Sequence, residues 1–92
     1  MVKFVWDENK RLANIRRHGL DFIEIPSLFE SYVFTIEDDR FDYGETRYFS
    51  LGLLSGRVIA VSYTESNEEI RIISARRANK NEQKKYYNEI AD

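Results

Sequence analysis

Residues 46–75 have the sequence TRYFSLGLLSGRVIAVSYTESNEEIRIISA, and their apolar positions recur with a period of two. That period is typical of β-strands, because successive side chains of a strand point to opposite faces of the sheet. Ser55–Gly56 and the polar stretch 65–68 interrupt the pattern at lengths that suit hairpin turns. We therefore predict an antiparallel meander of three strands at 46–54, 57–64 and 69–75.

A helix is predicted near the start of the chain. Asp7 is a good N-cap residue, and Gly19 suits the left-handed position that follows a helix. These two residues bracket a helix over about 8–18, with Leu12 and Ile15 expected on its buried side.

The other segments complete an α+β domain. They are a short N-terminal strand at 4–6, a second helix that begins at Asp21 or at Pro26, a strand at 31–37, a polar connection at 38–45, and a C-terminal helix capped by Asn79. We expect one domain over residues 1–92, with a four-stranded, mainly antiparallel sheet and the short N-terminal strand in addition. Two N-terminal helices and one C-terminal helix would pack against it.

Composition excludes several classes of protein. There is no cysteine, so disulfide bonds and thiolate zinc sites are ruled out, and the single histidine leaves metal catalysis poorly supported. No apolar stretch approaches the roughly 20 residues that a membrane span requires, and the N-terminus lacks a signal-peptide core. We expect a soluble cytoplasmic protein without membrane contact, metal ion or cofactor.

Charge is unevenly distributed although the net charge is only −2. Residues 21–45 contain eight acidic residues against one arginine, whereas the first helix carries Lys10, Arg16, Arg17 and His18. Such segregation suggests a basic face for a polyanion, although a merely patchy solvated surface would have the same composition.

Arginine, lysine, tyrosine and one histidine are the side chains left for chemistry. Guanidinium groups bind phosphates and stabilise a pentacoordinate phosphorane, while tyrosine and histidine can move protons or stack on a base. This set suits metal-independent RNA cleavage, in which the substrate's own 2′-hydroxyl is the nucleophile. It equally suits RNA binding without cleavage, and composition does not separate the two.

Several motifs resemble one family over nearly the whole chain. WDENK (6–10) with Asn14 and RRHG (16–19), then DYGETRY (42–48), then RIISARRA (71–78), are similar to the BrnT family of type II toxin–antitoxin ribonucleases. The resemblance implies a fold like that of the RelE ribonuclease toxins and inhibition of translation through RNA cleavage. It also implies neutralisation by a BrnA-like ribbon-helix-helix antitoxin, whose dimer would recruit two toxins and bind promoter DNA.

The resemblance also implies a set of functional residues. ISARR followed by KKYY looks like the arginine and tyrosine arrangement of RelE-like toxins, with a phosphate ligand at Arg76 or Arg77 and a tyrosine near the scissile bond. The candidate catalytic residues are Arg76, Arg77, Tyr86, His18 and Arg57. The candidate substrate-binding residues are Lys10, Arg47 and Tyr87.

Neighbouring strand residues point to opposite faces, so only one arginine of the pair 76–77 should face the RNA. We expect Arg76 to be that residue. It lies an even number of positions from Ile72 and Ser74, so in a regular strand all three side chains would point to the same face. Tyr86 has an alternative role in core packing, since it lies at helical spacing from Glu82 and Ile90. A non-catalytic module that binds RNA or protein is the alternative function, and a DNA-binding accessory protein is a third.

Overall fold

The computed structural model describes residues 2–38 and 45–91. Its elements are β1 (Lys3–Trp6), α1 (Glu8–His18), a 3₁₀ turn (Phe22–Glu24), α2 (Ile25–Leu28), β2 (Val33–Asp38), β3 (Arg47–Leu54), β4 (Arg57–Ser66), β5 (Glu69–Arg77) and α3 (Lys80–Ala91). The predicted α+β class and the order of its elements are confirmed. Most of the predicted polar connection, residues 39–44, lies outside the described residues.

All five strands form one mixed sheet in the order β1-β5-β4-β3-β2. β1 pairs in parallel with β5, so that Lys3 lies opposite Glu69, and the three other pairings are antiparallel. The short N-terminal strand is therefore a full member of the sheet at its edge. Among the described residues, the sheet thus consists of the four predicted strands together with the predicted short N-terminal strand.

Both hairpin turns of the predicted meander consist of two residues with positive φ. The angles are 53° and 79° at Ser55 and Gly56, and 49° and 64° at Asn67 and Glu68. Two consecutive left-handed residues match the right-handed twist of paired strands, which explains these tight connections. Because the second turn is shorter than predicted, β4 runs on to Ser66.

A β-bulge interrupts the pairing of β4 with β5. Ser62 lies opposite Ser74, but the next residue of β4, Tyr63, lies opposite Ile72, which leaves Ile73 as an extra residue. The bulge reverses the alternation, so that Ile72 and Ser74 point to opposite faces of the sheet. The prediction that Ile72 shares a face with Ser74 and Arg76 is therefore wrong.

Each face of the sheet has its own hydrophobic cluster. On the face that we call the α1/α2 face, Phe22, Ile25 and Leu28 pack against β4 and β5 residues such as Val61 and Ile72. On the α3 face, Tyr86 and Ala78 pack against Leu51, Val58 and Ala60. The two clusters sandwich the sheet between its helices, which buries both sides of β4.

Close contact between α2 and the sheet depends on Gly52 of β3. A Cβ atom at this position would lie 2.6 Å from Cδ2 of Leu28, which is fully buried. A side chain at this position would therefore collide with the Leu28 side chain and displace it, whereas glycine leaves room for it.

The caps of α1 agree with the sequence, but of its predicted buried side only Ile15 is half-buried. The carboxylate of Asp7 accepts a hydrogen bond from the amide of Asn9, and Gly19 takes a left-handed conformation. Leu12, predicted to be buried, is 41% exposed, whereas Asn14 is only 6% exposed. α1 lies against the edge of β5 beyond the end of β1, where backbone groups require a polar partner, and this requirement places Asn14 inside.

Candidate active site

A cleft at one end of the sheet brings together Arg57, Arg77 and Tyr87, which are far apart in the sequence. It has a volume of about 250 Å³, and we call it the arginine cleft. Its lining residues are Gly56, Arg57, Val58, Arg77, Ala78, Gln83 and Tyr87. Arg57 begins β4 and Arg77 ends the antiparallel strand β5, so both lie at the same end of the sheet. α3 then returns beside this end and brings Tyr87 to the cleft.

The two arginines of the cleft are exposed to solvent. Within residues 2–38 and 45–91, no hydrogen bond or ion pair engages the side chain of either Arg57 or Arg77. Their donors therefore remain available for an anion. Guanidinium groups present these donors in a planar fork that matches the oxygens of a phosphate.

Backbone contacts hold the strand-to-helix connection beneath the cleft. The amide of Ala78 donates to the carbonyl of Val58 at 3.0 Å, and the Gln83 side chain donates to the carbonyl of Ala78 at 3.0 Å. Ala78 itself is buried. This connection fixes the end of β5 relative to β4, and hence Arg77 relative to Arg57.

Arg76 has a different environment from Arg77. It lies opposite Ala60 on the α3 face, and its guanidinium forms two hydrogen bonds with Glu82, each 2.9 Å long. Arg76 also lies over the ring of Phe49, 5.9 Å from its centroid. The hydrogen bonds with Glu82 raise the pKa of Arg76, and the same contact lowers the pKa of Glu82. Arg76 is thus already engaged within the protein.

Glu82 also completes the predicted cap of α3. Its carboxylate accepts a hydrogen bond from the amide of Asn79, while the Asn79 side chain accepts one from the amide of Glu82. This reciprocal pair is a capping box, and it confirms Asn79 as the N-cap residue. Through Glu82, Arg76 is joined to the start of the helix that carries both tyrosines.

The adjacent tyrosines of α3 differ in exposure. Tyr86 is 1% exposed, and its hydroxyl donates to the carbonyl of Tyr32 at 3.2 Å. Burial raises the pKa of this phenol. Tyr87 is 49% exposed and lines the arginine cleft, so it is the tyrosine that meets solvent beside Arg57 and Arg77.

Lys10 and His18 line a second cleft, which we call the α1 cleft, with a volume of about 240 Å³. Arg17, Ser74 and Ile73 also contribute to it. A further cleft is lined by Gly19, the residue after His18, and by both Arg57 and Arg77. Because Gly19 follows His18 in the chain, the α1 cleft lies next to this further cleft, which shares both arginines with the arginine cleft but is also lined by the acidic Glu24. We call the three clefts together the track.

Arg47 is not part of this track. It begins β3 opposite Thr64, at the end of the sheet away from Arg57. Gln83, by contrast, lines the arginine cleft although we had not predicted it as a site residue. Its position four residues before Tyr87 puts both on one face of α3, which is a signal that the sequence contained.

Within the described part of the chain, no cluster of three or more histidine, aspartate or glutamate side chains is arranged to hold a metal ion. None of the described helices combines the length and the apolar character needed to cross a membrane.

Known proteins resemble this chain in both sequence and structure. The family model described as the ribonuclease toxin BrnT of type II toxin–antitoxin systems matches residues 6–82. The crystal structure of the Brucella abortus ribonuclease toxin BrnT is similar with a TM-score of 0.65 and 31% sequence identity, and the match covers 87% of this chain and 100% of that chain. No curated protein matches the chain. The family match includes Arg57 and Arg77 and ends before Tyr87.

Proposed function

The chain belongs to the BrnT family of ribonuclease toxins of type II toxin–antitoxin systems, and on this premise we propose that it stops translation by metal-independent cleavage of RNA. Family membership implies an RNA substrate and an antitoxin partner. Because its target is translated RNA, we assign the protein to the cytoplasm.

The observation that carries the proposal is the arginine cleft. Two exposed guanidinium groups without a described partner meet there, beside a half-exposed tyrosine. Like charges without counter-ions are costly to hold together, so the cleft favours an anionic ligand. The track toward Lys10 and His18 extends the positive charge over more than one phosphate, as a polynucleotide requires.

In the mechanism that we propose, the 2′-hydroxyl of the substrate gives up its proton to solvent water and attacks the adjacent phosphorus. A phosphorus–oxygen bond forms to O2′ and the bond to O5′ breaks, which leaves a 2′,3′-cyclic phosphate and a 5′-hydroxyl end. Arg57 and Arg77 stabilise the additional negative charge of the pentacoordinate phosphorane. The phenol of Tyr87 donates a proton to the departing O5′ or stacks on the neighbouring base. Lys10 and His18 hold the RNA along α1.

Cleavage of a defined single-stranded RNA by the purified chain tests this proposal. We expect cleavage to continue in excess EDTA, and the products to carry 2′,3′-cyclic phosphate and 5′-hydroxyl ends. A double variant, Arg57→Ala with Arg77→Ala, is the matched control for a contaminating nuclease. If the wild-type chain binds the RNA but leaves it intact, the alternative of a non-catalytic RNA-binding module replaces the enzyme.

The antitoxin that we propose is a BrnA-like ribbon-helix-helix protein, whose dimer binds two toxins and the promoter DNA. Family membership supports this partner class. Expression of the toxin alone should arrest growth, and co-expression of the protein encoded immediately downstream should relieve the arrest. Light scattering of the purified complex then measures its mass. A mass that differs from that of two toxins and one antitoxin dimer would contradict the proposed assembly.

A further inference from the structure

An apolar groove on the α1/α2 face lies away from the arginine cleft. Its volume is about 690 Å³, and its aromatic lining residues are Phe4, Phe29, Tyr48 and Tyr63. We call it the aromatic groove. Val2 and Val33 add further apolar surface, and Val2 is 45% exposed. An open apolar surface of this kind marks a site for a partner molecule.

The groove is open because α2 is too short to cover the sheet. α2 is a single turn that ends at Leu28, whereas β4 is ten residues long. Tyr48 and Tyr63 lie opposite each other on β3 and β4, where the ring of Phe29, the residue after α2, covers Tyr63 and leaves Tyr48 half-buried. The sheet surface past α2 therefore has no helix above it among the described residues.

The floor of the groove is rigid. Phe29 contacts Phe4 on one side, with ring centroids 5.6 Å apart, and Tyr63 on the other at 5.2 Å. Tyr63 stacks on Tyr48 at 5.7 Å, and its hydroxyl is hydrogen-bonded to Ser50 at 2.7 Å. A preformed aromatic floor costs little conformational entropy when an apolar side chain binds on it.

The rim of the groove is acidic. Glu30 and Glu65 line it, and Glu37 lies opposite Tyr48 on the neighbouring strand. All three glutamates are exposed, and the nearest strand lysine, Lys3, lies opposite Glu69. These carboxylates repel RNA phosphates, and they would face their own copies across a symmetric dimer interface. A partner whose apolar side chains are flanked by Lys or Arg fits both the floor and the rim.

We propose that the aromatic groove is a docking site for the antitoxin, occupied by a segment with apolar side chains flanked by basic residues. This proposal rests on the toxin–antitoxin assignment, which requires a protein partner, and it adds where that partner binds. The groove contains the end of β4 and the start of β3, whereas Arg57 begins β4. The segment docked at this site therefore contacts residues other than those that line the arginine cleft.

Calorimetric titration of the toxin with the purified protein encoded immediately downstream tests the proposal. The variant carries Glu30→Lys and Glu65→Lys, two exposed positions whose substitution leaves the core intact. We expect its affinity for the antitoxin to fall by about tenfold or more, since like charges at an interface both slow association and weaken binding. Glu89→Lys, an exposed carboxylate on α3, is the matched control and should bind like the wild type.

The calorimetric titration measures antitoxin binding without any RNA cleavage, so a failure of the ribonuclease proposal does not affect this test. The charge-reversed variant should retain the RNA cleavage rate of the wild type. Affinity within about twofold of the wild type would overturn the proposal, as would an absence of binding by the wild type. A change in self-association of the variant, measured by sedimentation, would assign the groove to a second copy of this chain instead.

Discussion

Asn14 occupies the place of a neighbouring strand beside Ala75. Its side-chain amide donates to the carbonyl of Ala75 at 2.9 Å, and the amide of Ala75 donates to Oδ1 of Asn14 at 3.1 Å. β1 pairs with β5 only as far as Ile72, so the edge of β5 would otherwise have no partner at this point. The same Asn14 amide also donates to the carbonyl of Leu20 at 2.9 Å. One side chain thus joins α1 to the strand that carries Arg77.

Asn14→Ala should destabilise the protein by about 2–3 kcal/mol, because it leaves the buried backbone groups of Ala75 without a partner. Chemical denaturation monitored by circular dichroism measures this loss. Asn9→Ala on the exposed face of the same helix should stay within about 0.5 kcal/mol of the wild type. Equal stability of the two variants would show that water replaces the Asn14 contacts at no cost.

Arg77→Ala should reduce RNA cleavage by roughly 10²–10³-fold, as expected when a preorganised contact to the reacting phosphate is lost. Its melting temperature should stay close to that of the wild type, because no described partner loses a contact. Arg76→Ala should instead retain cleavage and lower the melting temperature, since Glu82 loses its bidentate partner. The reverse pattern in cleavage assays and thermal melts would make Arg76 the phosphate ligand.

Tyr87→Phe should slow cleavage while the chain remains as stable as the wild type. Its hydroxyl lies on a half-exposed ring in the arginine cleft, so removing it affects proton transfer and not packing. Tyr86→Phe should show the opposite behaviour, with normal cleavage and a loss of about 0.5–1.5 kcal/mol from the hydrogen bond to Tyr32. Single-turnover rates and denaturation midpoints for both variants distinguish these roles.

Acid should weaken the contact between Arg76 and Glu82. The hydrogen bonds from Arg76 lower the pKa of Glu82 below its ordinary value of 4.5 in the folded protein. The stabilisation is therefore complete above that ordinary value and is lost as the pH falls through the lowered pKa. Because the pair is partly exposed, we expect it to contribute no more than about 1 kcal/mol to the free energy of unfolding.

Thermal melts of the wild type and Glu82→Gln over a range of pH measure this contribution. At pH 7 the wild type should melt at the higher temperature, and the two curves should converge well below pH 4.5, the ordinary pKa of the carboxyl. Glu8 and Asp21, whose carboxyl pKa values are also lowered, contribute equally to both proteins. Parallel curves across the whole range would show that the ion pair does not contribute to stability.

Local signals in the sequence account for most of the fold. The meander, its first hairpin turn and the caps at Asp7, Gly19 and Asn79 each depend on neighbouring residues and were predictable, whereas the second turn is two residues long and not four. Burial of Asn14 was not, because it depends on where β1 ends against β5. An amphipathic pattern identifies apolar faces. It contains no information about a polar side chain that forms hydrogen bonds with the backbone of a strand distant in the sequence.

The candidate site was predictable in its residue types but not in its grouping. Arg57, Arg77 and Tyr87 meet because the order of strands brings the start of β4, the end of β5 and α3 together. The prediction that Arg76 faces the RNA assumed that side chains alternate between the two faces along the whole of β5. The extra residue, Ile73, breaks that alternation. Bulges depend on pairing between strands, so no count along a single strand reveals them. Which arginine acts on RNA stays a prediction.

The parallel pairing of the first strand with the last one has a consequence during synthesis on the ribosome. β1 is made first, but β5, its neighbour in the sheet, is made after the other described strands. Contacts between segments so distant in the chain form late, because the intervening chain must first be ordered. A nascent chain that lacks its last third has neither Arg77 nor Tyr87 beside Arg57. The arginine cleft therefore forms only after the segment that carries Arg77 and Tyr87 has been made.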